Sequence, residues 1–382
     1  MLENKLIINR IGNERNIFLY QDGVLTEQYK EKLDEQRQEG NIYLGKVKDI
    51  IKGMQSAFID IGSEKNALIH IKDLMPKASN TTGNNNVDAT KLNITKYVKP
   101  NENIIVQVKR DSVNTKGARV TKDIKLVGRF AVIMPMAEFI TVSTKIENEN
   151  EIQRLKKCAN NALGRFNWKG GIILRTSAEN QSEAELIKDI EELIKLWKNI
   201  ENKAQNENAP YELYNGNGIV GKLITDFEPQ GLEIITNSEE EKNYIKQLSN
   251  KVKVEVDSSV DEEFEERKKV WLKCGGFITI DKTEALIAID VNSGKCLGNK
   301  RLEETVFKVN KEAAEEIAKQ LRLRDLGGII IIDFIDMLEE KNRDKITEIM
   351  NNALKKDRSK VQIVEFTKLG LLEVTRKNIY RR

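Results

Sequence analysis

Two aspartates carry the strongest chemical signal in this 382-residue chain. Asp290 ends the short apolar run ALIAI (Ala285 to Ile289), and Asp333 ends IIII (Ile329 to Ile332). Between the runs, Leu302, Val306, Val309, Ala313, Ile317 and Leu321 recur at three- and four-residue steps among charges. That is the period of an amphipathic helix, with a stop expected at Gly327-Gly328. Strand, helix and strand make a crossover unit, so the two runs are expected as parallel neighbours with both carboxylates at one sheet edge. Open α/β sheets place ligands at that edge. Asn292, two residues past Asp290, shares its face if the chain stays extended, and Ser293-Gly294 lets the backbone turn. Two carboxylates and an amide oxygen are a hard, oxygen-only donor set suited to Mg²⁺, which keeps waters and substrate phosphate in its remaining positions. Such a metal activates water and stabilises the leaving oxygen of an in-line displacement, so the chemistry implied is phosphodiester hydrolysis. Spacing alone does not choose between Asp333 and Asp336, and aspartates also end strands or cap helices for structural reasons.

Other chemistries find little support. The sole histidine, His70, lies far along the chain from both aspartates, which excludes a histidine pair and leaves a Ser or Cys nucleophile without its usual base. Cys158, Cys274 and Cys296 are odd in number and widely spaced, so neither a disulfide framework nor a CxxC zinc site is expected. No apolar run approaches the roughly 18 residues of a membrane span, and MLENKLIINR lacks a signal-peptide core. The expectation is a soluble cytoplasmic protein.

Net charge is only +3, but its distribution is uneven. From Asn41 to Phe130 there are 16 Lys and Arg against 8 Asp and Glu, whereas DEEFEE from Asp261 is acidic. A basic segment in a nearly neutral chain points to a local anionic partner, nucleic acid first, or to a solvated lysine-rich surface. Within it, Tyr43 to Ile50, Ser56 to Ile61, Ala67 to Ile71 and Asn103 to Val108 read as short strands parted by glycine turns, a small barrel of the oligonucleotide-binding (OB) type. Phe58 is placed either to stack a base or to fill the barrel core, and Lys116 either to meet a phosphate or to stand free on the surface. Pro76 to Pro100, containing SNTTGNNNVDAT, reads as an inserted loop.

The remaining elements frame these candidates. Met1 to about Glu39 reads as two strands followed by a strand or short helix, too small for a core of its own. A new unit begins near Val120, with strands in KLVGRFAVIMPM and FITVSTKI, a helix in IENENEIQRLKKCANNAL, the strand GIIL and a long helix from Ser182 to Lys203. Arg175-Thr176, between GIIL and that helix, offers a guanidinium fork, a hydroxyl and backbone N–H groups to a phosphate; a loop Arg-Thr is also a common structural feature. Past Pro210, GIVGKLITDF and GLEIITN read as strands and EEEKNYIKQL as a helix.

AIDVNSG (Ala288 to Gly294), EETVFKVNKEAAEEIAKQLRLRDLGG (Glu303 to Gly328), IIIIDFIDM (Ile329 to Met337) and LGLLEVTR (Leu369 to Arg376) resemble, in order, the ribonuclease E/G family. GKVKDI, AFIDIG and LIHIKDL resemble an S1-type RNA-binding domain, and with GIILRTS the likeness covers essentially the whole chain. The resemblance implies a Mg²⁺-dependent, single-strand-specific endoribonuclease that leaves 5′-phosphate and 3′-hydroxyl ends and acts on rRNA precursors and mRNA. It assigns Asp290 and Asp333 to the metal and Asn292 to orienting the scissile phosphate. Arg175 and Thr176, with the backbone near Val132, match a pocket sensing a 5′-monophosphate. Phe58 and Lys116 match RNA contacts, while Leu68 stands where the family places a second aromatic. The fold class implied is a multidomain α+β and α/β chain. A discontinuous RNase H-like domain (1–39 and 210–262) holds an S1-type OB barrel (40–119) and a 5′-sensor subdomain (120–209), and a DNase I-like catalytic domain (263–382) follows. Family members continue into a CPxC zinc element and a small dimerisation domain, neither of which stands in this sequence. A natural short form or a truncated one fits equally, a homodimer stays open while its zinc link is doubtful, and a catalytically weak RNA-binding or regulatory protein of the same fold is the competing expectation.

Overall fold

The computed structural model describes residues 3–34, 37–75, 93–112, 116–262, 264, 266–295 and 302–380. The expected loop SNTTGNNNVDAT and Cys296 lie outside the described residues. The chain divides into two compact units, one made of Met1–Glu35 with Gly231–Arg382 and the other of Gln36–Gln230. Among the described residues no helix is long and apolar enough to cross a membrane.

The first unit holds two sheets. One has five strands in the order Lys253–Val256, Leu232–Thr236, Asn4–Ile11, Glu14–Gln21, Val24–Lys32, so the third segment left open between strand and helix is a strand. Asn4–Ile11 pairs parallel with Leu232–Thr236, some 230 residues later in the chain, and antiparallel with Glu14–Gln21. The other has six strands in the order Lys269–Trp271, Phe277–Lys282, Ile287–Asn292, Gly328–Asp333, Leu371–Arg376, Val361–Phe366. One face of this sheet is covered by the helices Leu302–Leu323 and Glu340–Leu354. Val309, Ala313, Ile317 and Leu321 of the first helix and Ile346 and Met350 of the second are buried with Ile287, Ile289, Ile330 and Ile332 of the strands. Each such fully buried branched side chain contributes about 1.5–3 kcal/mol, enough to fix which face of each strand turns inward. The crossover helix ends at Leu323 rather than at the glycines, because Asp325 itself takes the left-handed conformation (φ 46°) and Leu326 N–H returns to Leu321 O.

Buried charges brace this unit. Glu27, 0% exposed, accepts from Arg322 and Arg358 and from the Tyr29 hydroxyl. Burial pushes its carboxyl up, but the two guanidiniums outweigh that and hold it below the ordinary value. Arg376, also deeply buried, bridges Asp325 and Asp357, and the Tyr380 hydroxyl donates to Glu31.

The second unit contains a closed five-stranded barrel: Ile42–Ile51, Ser56–Asp60, Ala67–His70, Arg119–Thr121 and Asn103–Arg110, which returns to Ile42–Ile51. The OB-type expectation fits this closure. Its fifth strand, Arg119–Thr121, falls where a basic turn and a new unit were expected to meet. A four-stranded sheet, in the order Ile140–Val142, Gly171–Leu174, Ala131–Met134, Leu126–Val127, shares a core with the helices Glu149–Phe166 and Glu183–Asn206.

Two expectations are corrected here. GIVGKLITDF is a helix, Gly218–Phe227, not a strand. Ile219, Val220, Leu223, Ile224 and Phe227 are all buried, a helical spacing that a ten-residue apolar run shares with a buried strand. Residues 210–230, expected with the discontinuous domain, belong to the second unit, where Tyr211–Tyr214 pairs with Ile42–Ile51.

Candidate active site

Strand register brings the two aspartates together. Ile287–Asn292 and Gly328–Asp333 run parallel with Asp290 directly opposite Asp333. Alternate residues of both strands are buried under the helices, so the two-residue period turns both carboxylates to the opposite face, where they are exposed. A one-residue slip of either strand would exchange the two faces, and the apolar core forbids it. Asn292 follows on the same face, and its Nδ2 donates to Asp290 Oδ2 at 2.5 Å. The amide thus orients the first carboxylate. Past it the chain turns at Gly294 (φ 54°), where a Cβ would stand 2.5 Å from Gly275 O.

The electrostatics are those of a site short of positive charge. Burial first, then the charges of Asp290 and Asp336, hold the Asp333 carboxyl above its ordinary value. Among the described residues no Lys or Arg pairs with Asp290 or Asp333, and no group of three or more His, Cys, Asp or Glu side chains gathers around a common point. Two hard oxygen donors without a counter-ion fit a divalent cation that takes one or two protein carboxylates and completes its shell with other oxygens. Asp336 lies past the strand end, and the register sets only Asp333 opposite Asp290.

Two supports were not legible in the sequence. Asn310, 0% exposed on the crossover helix, donates to Ile335 O at 2.7 Å and accepts from Ile335 N–H at 3.1 Å, pinning the turn after Asp333. Glu303 accepts from Asn342 Nδ2 at 2.8 Å at the head of the next helix. The available signal for Asn310 was an amide between Val309 and Ala313 in an otherwise apolar stripe.

Arg175, Thr176 and Val132 lie in the second unit. Arg175 follows the strand Gly171–Leu174; its Nη1 donates to Gly128 O at 2.7 Å, and its Nη2 pairs with Asp226 of the helix Gly218–Phe227. The fork is therefore answered from within the protein. The exposed Thr176 hydroxyl shares a 2.9 Å hydrogen bond with Ser143 Oγ. Val132 sits mid-strand, paired with Ile173 on one side and Val127 on the other. The loop before it is shaped by Asp189, 3% exposed, whose carboxylate accepts from the backbone N–H groups of Arg129, Phe130 and Ala131. Gly128 is required there, since a Cβ would meet that carboxylate at 2.7 Å. An acid inside the apolar stripe of a helix, beside Ile190, was the signal for Asp189.

Phe58 and Lys116 belong to the barrel. Ala57 and Ile59 point into its core, so the half-buried Phe58 points outward, in a row with Leu68 and Arg119. Lys116 is exposed just before the fifth strand.

The model of the Ribonuclease E/G family matches residues 125–379. The chain is 36% identical over 393 residues to "Ribonuclease G" of Escherichia coli (strain K12), covering 98% of this chain and 79% of that protein. "Ribonuclease G" of Haemophilus influenzae is likewise 36% identical with the same coverage. "Ribonuclease E" of Nostoc sp. (strain PCC 7120) is 34% identical over 371 residues, 89% of this chain and 52% of the relative. With a family model spanning most of the chain and relatives aligned along nearly all of it, this chain belongs to the ribonuclease E/G family.

Proposed function

We propose that this protein is a Mg²⁺-dependent, single-strand-specific endoribonuclease of RNA processing and decay. It hydrolyses phosphodiester bonds to 5′-phosphate and 3′-hydroxyl ends and favours RNA with a 5′-monophosphate. The observation that carries the proposal is the register pair of Asp290 and Asp333, exposed, side by side and, among the described residues, without a cationic partner, in a member of a family whose relatives are named ribonucleases.

Asp290 and Asp333 would hold the metal, which when bound supplies charge neutralisation at the phosphate and a more acidic water. Asn292 keeps Asp290 in one rotamer through its amide and leaves a second N–H for a phosphate oxygen. The six-stranded sheet with its helices is read as the DNase I-like catalytic domain. The five-stranded sheet is read as RNase H-like, the barrel as S1-type and the four-stranded sheet as the 5′-sensor. In the barrel, Phe58 offers a ring to a base and Lys116 a charge to the backbone, supported by their outward placement. In the sensor, Arg175 and Thr176 receive the 5′-phosphate, with Asp226 yielding or sharing the fork.

The test is a 5′-labelled single-stranded oligoribonucleotide incubated with the full chain in Mg²⁺ or in excess chelator. The expected result is internal cuts with 3′-hydroxyl ends, abolished by the chelator and restored by Mg²⁺. Cleavage untouched by the chelator would remove the metal. Tight binding without cleavage in Mg²⁺ would leave an RNA-binding protein of the same fold.

A further inference from the structure

The open face of the six-stranded sheet carries two aromatic rings beside the carboxylates. Register sets Trp271 opposite Phe277 and Phe277 opposite Asn292. The adjacent row reads Lys269, Thr279, Asp290, Asp333 across four strands. With neighbouring strands about 4.8 Å apart, Phe277 stands one strand from Asn292, and Trp271 two strands, or about 10 Å. The rings meet edge to face with centroids 5.3 Å apart, and the Lys269 ammonium lies 4.2 Å from the Trp271 ring centroid and 3.6 Å from that of Phe277. Trp271 remains 60% exposed, while Ile278 of the alternate set is fully buried in the helix-covered core. The core therefore does not use this indole.

A single exposed aromatic needs no explanation. Here two rings and a cation share a face and two register rows with a candidate catalytic pair. Rings accept the π-face of any base, and an ammonium beside them matches a backbone phosphate, which is the composition of a single-strand binding platform. The two partly exposed rings, even with Ile329 on the same face, supply far less than the roughly 800 Å² per partner that a stable protein interface buries. We propose that Trp271 and Phe277 stack the nucleobase of a nucleotide flanking the scissile bond, with Lys269 leaving the rings to meet that nucleotide's phosphate. The inference rests on the proposed RNA cleavage and adds to it a base-binding subsite within the catalytic sheet.

The experiment combines cleavage with binding. On a single-stranded oligoribonucleotide in Mg²⁺, Trp271→Ala lowers kcat/KM about tenfold, mostly through KM, and Trp271→Phe recovers most of the loss. An abasic nucleotide moved stepwise along the substrate finds one position that wild type cuts as slowly as Trp271→Ala cuts the parent, and at that position the variant adds no further loss. Unchanged kinetics for Trp271→Ala, or losses that simply add, would overturn the platform. Binding is followed by tryptophan fluorescence in chelator, where RNA quenches the wild type and the quench disappears in Trp271→Phe. If wild type cuts no RNA, the cleavage proposal fails and the fluorescence still decides: no quench that depends on Trp271 removes the subsite. Sedimentation showing a dimer that Trp271→Ala dissolves would assign the face to a second copy of the chain and likewise overturn it.

Discussion

The two places proposed to meet RNA phosphate are built in opposite ways. At the sheet edge, Asp290 and Asp333 stand together with no counter-ion among the described residues, and burial first, then the charges of Asp290 and Asp336, lift the Asp333 carboxyl. Around Arg175 the reverse holds: Asp226 and Gly128 O already occupy the guanidinium fork. The first arrangement keeps its charge unanswered and is ready for a cation. The second is internally neutral, so a ligand must exchange with Asp226. A site waiting for an ion can be strained by itself and relieved by its ligand; a site already paired discriminates through the cost of exchange.

That contrast can be tested by charge. Asp290→Asn or Asp333→Asn should lower cleavage of a labelled single-stranded RNA in Mg²⁺ about a thousandfold, the several kcal/mol that a bound metal supplies. Activity within a few fold of wild type in both would end the metal-carboxylate proposal. At the paired site, Arg175→Ala should lower cleavage of 5′-monophosphate RNA about tenfold and leave 5′-hydroxyl RNA unchanged. Asp226→Asn should raise the preference for 5′-monophosphate about threefold by loosening the fork. Equal losses on both substrates would make Arg175 a strut between the helix and the sheet.

The smallest effect separates the two sites by stability. Because the folded Asp333 carboxyl lies above its ordinary value of 3.8, the fold disfavours its charged form at neutral pH, and that penalty is absent once the group is protonated in both states. In chelator at pH 7, Asp333→Asn should therefore raise the thermal midpoint by about a degree, solvent screening keeping the gain to about half a kcal/mol. The gain should vanish as pH falls below 3.8. A lowered midpoint at pH 7 would show that the fold does not disfavour the charged Asp333.

Much of the Asp290–Asp333 pair was legible because its signals are local. An apolar run closed by an acid, a helical period and a second such run dictate the crossover, and the register pair of Asp290 and Asp333 follows from it. Less of the surroundings of Arg175 was legible. Asp226 meets Arg175 across 51 residues, from a segment whose apolar spacing suited strand or helix alike. Asp189 and Asn310 act through backbone groups of loops elsewhere in the chain, and a single sequence records only that a polar residue interrupts an apolar stripe. Trp271, in KKVWL, carries no periodic signal; only the pairing of its strand sets it beside Phe277 and Asn292.

The buried Glu27 has a consequence for biosynthesis. The guanidiniums that balance it, Arg322 and Arg358, are 295 and 331 residues away along the chain. At a translation rate of about 5–20 residues per second, the ribosome takes about 15 to 60 s after Glu27 to make the first of them. Throughout that interval the opening hairpins hold a carboxylate that cannot be buried unpaired, whereas Gln36–Gln230 is one contiguous stretch that can fold as it emerges. The unit that carries Asp290 and Asp333 therefore completes after Gln36–Gln230, although its first strands are made before it.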